Sequence, residues 1–276
     1  LTGGHSGTDI HKGRANANKL MNRLLFQLSQ QLSVEIHRID GGSLRNAIPR
    51  ESVADIVVPV DQRQVLQELV HAFAQLCEKE YGATDPALRV QAEPVALPSS
   101  VWHADFQKSF IRVMYACPNG IYRMNPEIEG LVQSSNNMAR VLVQGGSYSV
   151  QCLTRSSSET EKADVVNAIT AGFELLQAEI SLGGDYPGWL PEPNSELVTM
   201  MRRLYQDLFH GEPHVYACHA GLECGILGRN YPGMQMISFG PNITGAHSPD
   251  EQVQISSVIK FWSYLLETLK RIPVQS

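Results

Sequence analysis

Gly245-Ala-His-Ser-Pro-Asp-Glu251, with the apolar residues that follow it (Ile255, Val258, Ile259, Trp262, Leu266 and Leu269), is the stretch on which the reading of this chain turns. The apolar residues recur at helical spacing. Ser248 is an N-cap residue by type, Pro249 suits the first helical position, and Glu251 completes an S-x-x-E capping box. This predicts a helix over 250–271, with His247 just ahead of it on a loop whose exit is fixed by a rigid element. An imidazole held that way is well placed to meet a metal. A histidine before a helix is as often a surface or cap residue, and a metal needs three or more ligands. His247 therefore needs partners elsewhere in the chain.

The chain has 276 residues, 43% hydrophobic and 18% charged, a globular composition that allows one large domain or two ordinary ones. A formal charge of −6 argues against nucleic acid or an anionic membrane as partner. No apolar run is long enough to span a bilayer. The five cysteines include no C-x-x-C pair, and an odd count fits a reducing compartment, so the chain reads as cytoplasmic. It opens at Leu1 on a glycine-rich motif without a preceding strand or helix, which reads as the later part of a longer polypeptide.

Leu20, Leu24, Leu28 and Leu32 predict a helix over 12–32. Strands are expected at 33–40, ended by Gly41-Gly42, and at 53–59, 88–94, 128–133, 140–144 and 147–154. Helices are expected at 61–79, 104–116 and 159–180. Residues 181–195, rich in Gly and Pro, mark the best boundary. Beyond it a helix (195–209), a strand (214–217), a short helix after Gly221, a strand (234–239) and the last helix suggest one half of an α/β sheet. Loops near His219 and His247 would then lie at the carboxyl ends of adjacent strands, where such sheets bind ligands. The fold class is α/β: an α+β domain followed by part of an α/β domain.

His219-Ala-Gly-Leu-Glu-Cys-Gly225 offers His219 and Glu223 at i, i+4, either as zinc ligands or as a glycine-rich turn with Glu223 hydrogen-bonding a histidine or the loop backbone. In Gly3-Gly-His-Ser-Gly7 the glycines let the backbone approach a ligand, and a neutral His5 could donate to an oxyanion; alone, the motif reads as a flexible loop. Asn46 can both donate and accept, which suits a peptide group. Arg155 ends a strand and could clamp a carboxylate. Unaided, both read as surface turn residues. The pairs Asn136-Asn137 and Arg202-Arg203 carry no functional reading.

Taken together, the motifs at 3–17, 219–225 and 245–251, with Ser134-Ser-Asn-Asn137 and Asp185-Tyr-Pro-Gly-Trp189, resemble the dinuclear-zinc peptidases of the M20 type, in particular those that cleave dipeptides such as Xaa-His. The resemblance covers the whole chain. It implies a lid and dimerisation domain over 1–182 and the C-terminal part of a catalytic domain over 183–276. It implies His247 as a zinc ligand and His5 as the group that polarises the scissile carbonyl. It implies Asn46 and Arg155 as holders of the peptide group and terminal carboxylate, Gly221 as a backbone contact, two zinc ions, a dipeptide substrate and a homodimer. The family's H-x-D motif, bridging aspartate and Glu-Glu pair have no counterpart here, so the water-activating half is expected outside this chain. The other readings are an inactive lid fragment and a hydrolase of N-acyl amino acids or tripeptides.

Overall fold

The structure is a computed structural model that describes residues 1–189, 191–217, 223–244 and 251–272. It divides into two compact units, one over Leu1–Gly188 and one whose described residues begin at Trp189.

In the first unit, β1 (Gly4–His5) precedes α1 (Ala17–Ser29). The helix starts at 17 rather than 12, because the Asn16 side chain caps it, accepting from the amides of Asn18 and Lys19 at 3.0 and 3.2 Å. Its apolar face divides between two cores. β2 (Glu35–Gly42), β3 (Ala47–Ile48) and β4 (Ser52–Val57) follow, then α2 (Arg63–Tyr81) and α3 (Ala104–Ala116). β5 (Gly120–Met124), β6 (Val132–Gln144), β7 (Ser147–Ser156) and α4 (Glu159–Glu174) complete the unit.

The five-stranded sheet is antiparallel and is built around β6. β7 pairs along one side of it, while β2 and β5 share the other side at opposite ends. Gly41 and Gly42 do not end β2 but are its last two paired residues. Gly42 has φ +71°, and a Cβ there would run into the Ala139 carbonyl of β6, so glycine is what lets the strands close. One core joins Leu25 of α1, Phe110, Ile111 and Met114 of α3 and Phe173 of α4 to Ile36, Ile39, Met138, Val141 and Val143 of the sheet. A second joins Leu20, Leu24 and Leu28 to Val70, Phe73 and Cys77 of α2. Each fully buried side chain of this kind contributes about 1.5–3 kcal/mol.

Three sequence expectations change here. Residues 88–94 are irregular: Leu88 and Val90 pack on the second core, but the segment joins no ladder. β5 precedes the place where a strand was expected at 128, after which a turn leads into β6. β6 is one strand of 13 residues that includes Ser134–Asn137, all buried. Five consecutive polar residues, Gln133–Asn137, hide its apolar pattern.

In the second unit, α5 (Glu196–Phe209) is capped by Ser195, which accepts from the Val198 amide at 3.3 Å. α6 is Glu223–Asn230, β8 is Ile243–Thr244, β9 is Gln252–Val253, and α7 is Ile255–Lys270. The strands expected at 214–217 and 234–239 are irregular, since neither meets a ladder partner among the described residues. α7 begins at 255, not near 250: Gln252 and Val253 pair with Thr244 and Ile243, and the Gln254 amide donates to the Asn242 carbonyl at 3.0 Å. Glu251 therefore lies outside the helix, and Ser248 and Pro249 of the expected capping box lie outside the described residues. α7 docks on α5 through Tyr264, whose hydroxyl donates to the Met201 carbonyl at 2.8 Å, and leaves Ile255, Ile259 and Trp262 more than half exposed. Helices and antiparallel strands thus mix through the chain, and among the described residues no helix is long and apolar enough to cross a membrane.

Candidate substrate-binding site

The glycine-rich opening motif is a fastened loop. Asp85, 1% exposed, accepts from the amides of Thr2 and Ala15 at 2.8 and 2.9 Å and so holds both ends of the motif. Between them, the His5 amide donates to Asp9 Oδ2 at 2.8 Å and Arg14 Nη1 donates to the Gly3 carbonyl at 2.6 Å. Gly4 has φ +149°, and a Cβ there would strike the Arg14 guanidinium and the Asp9 carboxylate. Burial works to raise the Asp9 carboxyl. The Lys12 ammonium at 2.7 Å, the His5 amide and Arg14 together outweigh it and leave Asp9 below its usual value, so it stays ionised as an acceptor.

This loop fixes the chemistry of His5. Its Nδ1 accepts from the amides of Gly7 and Thr8 at 3.2 and 3.3 Å. A ring nitrogen that accepts carries no proton, so the tautomer this geometry assigns has its proton on Nε2, which is then the donor.

His5 and Asn46 are brought together. His5 pairs with Ala47 across the short β1–β3 ladder, and the Ser6 amide donates to the Asn46 carbonyl at 2.7 Å. The backbone on each side of Asn46 is gripped from the sheet: Asn137 Nδ2 donates to the carbonyls of Arg45 and Ala47 at 3.2 and 2.8 Å. Asn137 Oδ1 in turn accepts from Asn16 Nδ2 at 3.3 Å, so the cap residue of α1 orients the grip.

Arg155 sits on β7 opposite Ser135 of β6. Its neighbours on both sides are tied to β6. Thr154 Oγ1 donates to Asn136 Oδ1 at 3.0 Å, and the Ser156 and Ser134 hydroxyls meet at 2.7 Å. Glu161 of α4 accepts from Ser134 and Gln133 at 2.7 and 2.8 Å and meets Arg123 at 2.7 Å. These contacts outweigh the burial that would raise its carboxyl and leave it below its usual value. Ser135, the partner of Arg155, and Asn137, which grips the Asn46 loop, are two residues apart on β6, a rise of about 7 Å. The backbone beside Asn46 and the strand that carries Arg155 are thus both tied to one polar stretch of β6.

The buried asparagines fasten these segments, a role that their place in the Ser134–Asn137 motif does not reveal. Their signal is a run of five polar residues, Gln133–Asn137, all buried within one strand, which only a hydrogen-bond network can make tolerable. A cavity of about 960 Å³ lies elsewhere, under residues 87–98, and His5, Asn46 and Arg155 do not line it.

Glu223 is an exposed residue in the first turn of α6, in the second unit. Gly221, His219 and His247 lie outside the described residues. Among the described residues no group of three or more His, Cys, Asp or Glu is disposed to hold a metal.

A family profile described as a peptidase dimerisation domain matches residues 1–85, and one described as peptidase family M20/M25/M40 matches residues 48–271. The chain is 40% identical over 275 residues to the cytosol non-specific dipeptidase of Escherichia coli (strain K12), covering 100% of this chain and 57% of that protein. A crystal structure of aminoacylhistidine dipeptidase from Vibrio alginolyticus matches it with a TM-score of 0.91 at 39% identity, over 99% of this chain and 56% of that one. The chain therefore spans a little over half the length of these relatives. With a profile match running over most of its length, the chain belongs to peptidase family M20/M25/M40.

Proposed function

We propose that the complete protein is a zinc-dependent dipeptidase acting on unblocked dipeptides such as Xaa-His, and that this chain holds and orients the substrate. The observation that carries the reading is the Asn137 grip, which fastens the backbone on both sides of Asn46, next to the strand paired with His5, to the strand that also carries the partner of Arg155. The printed names of the two relatives, both dipeptidases, support the same reaction class.

In this reading Arg155 pairs with the free carboxylate of the dipeptide and so measures its length. Asn46 holds the peptide group through an acceptor and a donor. His5 Nε2–H donates to the carbonyl oxygen, more strongly as negative charge develops there. When bound, zinc supplies carbonyl polarisation and a water acidified to near neutrality. Residues 1–182 serve as lid and dimerisation domain, and 183–276 as the C-terminal part of the catalytic domain. His247 is one ligand of a two-zinc centre, Gly221 offers a backbone contact, and Glu223 hydrogen-bonds behind the ligands. The remaining ligands and the general base belong to polypeptide outside this chain. The match over 1–85 supports a homodimer, and the free thiols fit a cytoplasmic protein.

The test is a substrate panel on the complete polypeptide together with its metal content. Hydrolysis of unblocked dipeptides, two zinc ions per chain, and loss of both on His247→Ala are expected. Faster turnover of N-acyl amino acids or tripeptides, or full activity after chelation, would overturn the reading.

A further inference from the structure

Residues 5–9 form a turn that one residue closes from both ends. The Asp9 amide donates to the His5 carbonyl at 2.9 Å, and the His5 amide donates to Asp9 Oδ2 at 2.8 Å. Asp9 thus engages both backbone polar groups of His5. It also opens a short 3-10 turn, Ile10–Lys12, where an aspartate ordinarily caps the amides that follow it. Asp9 makes no such cap bond. Its carboxylate turns back to His5 instead, and Lys12 Nζ holds the other oxygen, Oδ1, at 2.7 Å. The space is kept by Gly4, where a Cβ would lie 2.7 Å from Asp9 Oδ2 and displace it.

Inside the closed turn the Gly7 and Thr8 amides converge on His5 Nδ1 at 3.2 and 3.3 Å. Two donors aimed at one ring nitrogen exclude a proton from it, because Nδ1–H would face both of them and leave two amides without their acceptor. Residues 6–8, which bring those amides round, lie between the two bonds to Asp9.

We propose that Asp9 is a positioning residue of the dipeptidase: its carboxylate closes the 5–9 turn, and the closed turn keeps His5 as the Nε2–H tautomer that donates to the substrate carbonyl. This rests on the role of His5 proposed above and adds the group that acts through it. A neutral imidazole with its proton on Nδ1 presents a lone pair at Nε2, which a carbonyl oxygen repels. Opening the turn frees the ring to take both forms. The loss falls on the step in which the oxyanion develops, and so on kcat rather than KM.

The tautomer is read by ring-nitrogen NMR of His5 in this chain, at a pH where the ring is neutral, and the kinetics are read in the complete enzyme. The wild-type ring should show the Nε2–H form alone and Asp9→Ala a mixture of the two, with the β6 amide signals unmoved to show that the unit is folded. Asp9→Ala should lower kcat about 10-fold with KM changed less than about twofold. Asp9→Asn keeps an acceptor for the His5 amide and should recover most of that loss. In a His5→Ala background Asp9→Ala should cost nothing further, since the two act as one unit. The Nε2–H form alone in Asp9→Ala, or equal falls in kcat with and without His5, would overturn the proposal. Full activity of His5→Ala would instead overturn the role of His5 and with it the kinetic half of the proposal, while the NMR measurement still decides whether Asp9 sets the ring.

Discussion

Replacing Asn137 with alanine removes the link between the sheet and the loop that carries Asn46. Three hydrogen bonds go with it: two from Nδ2 to the carbonyls of Arg45 and Ala47, and one from Asn16 to Oδ1. At about 1 kcal/mol net for each, and with the site 1% exposed so that water cannot take their place, the loss is about 3 kcal/mol. For a unit of this size that corresponds to a fall of roughly 6–12 °C in Tm. The damage should be local. The Ser6 amide, bonded to the Asn46 carbonyl, and the Ala47 amide, bonded to the Leu44 carbonyl, should exchange with deuterium faster than amides in the middle of β6. Asn137→Asp keeps an acceptor for Asn16 but lacks the donor, so it should loosen the same two amides. Denaturant unfolding measures the stability and hydrogen exchange the location. A loss under about 1 kcal/mol, or unchanged exchange at Ser6 and Ala47, would show that β1–β3 holds the Asn46 loop without Asn137.

In the complete enzyme, His5→Ala should lower kcat about 100-fold with little change in KM, because the Nε2–H bond strengthens only as the oxyanion forms; an unchanged kcat would remove His5 from that role. Lys19→Met should destabilise the first unit by about 2–3 kcal/mol in denaturant unfolding, since three carbonyls at the end of α3 lose a charged donor. Asp9 gives a pH signature. Its folded value is lowered, so the stability it adds is complete above its ordinary value of 3.8 and is lost as pH falls through the lowered one. Unfolding curves taken between about pH 5 and pH 2 should show Asp9→Asn losing part of the wild-type acid sensitivity.

Much of the first unit is readable from periodicity, because its helices bury one apolar stripe each: Leu20, Leu24 and Leu28 are enough to place α1. The limits of α1 and α7 are set by particular hydrogen bonds. Asn16 starts α1 at 17, and the β8–β9 ladder holds back α7 to 255 although Ser248-Pro-Asp-Glu251 spells a capping box. Local capping grammar cannot register that the next residues have a strand partner elsewhere. Residues 88–94 fail for the opposite reason: they alternate like a strand but no neighbour offers a ladder. In the candidate site, His5 stands out through its glycine neighbours and family motif, and Asn46 and Arg155 through chain position and the family resemblance. The roles of Asn16, Asn136 and Asn137 are not legible, although the motifs at 3–17 and 134–137 include them, because their work is to satisfy backbone carbonyls 18 to 122 residues away in the chain.

If Arg155 receives the free carboxylate of a dipeptide, its removal should matter only where that carboxylate is free. This is tested by kcat/KM of the complete enzyme and its Arg155→Ala variant on one dipeptide and on the same dipeptide amidated at its C-terminus. A charge-assisted pair of about 3 kcal/mol predicts a loss of roughly 100-fold on the free dipeptide and almost none on the amide. Equal losses on both substrates would contradict the account.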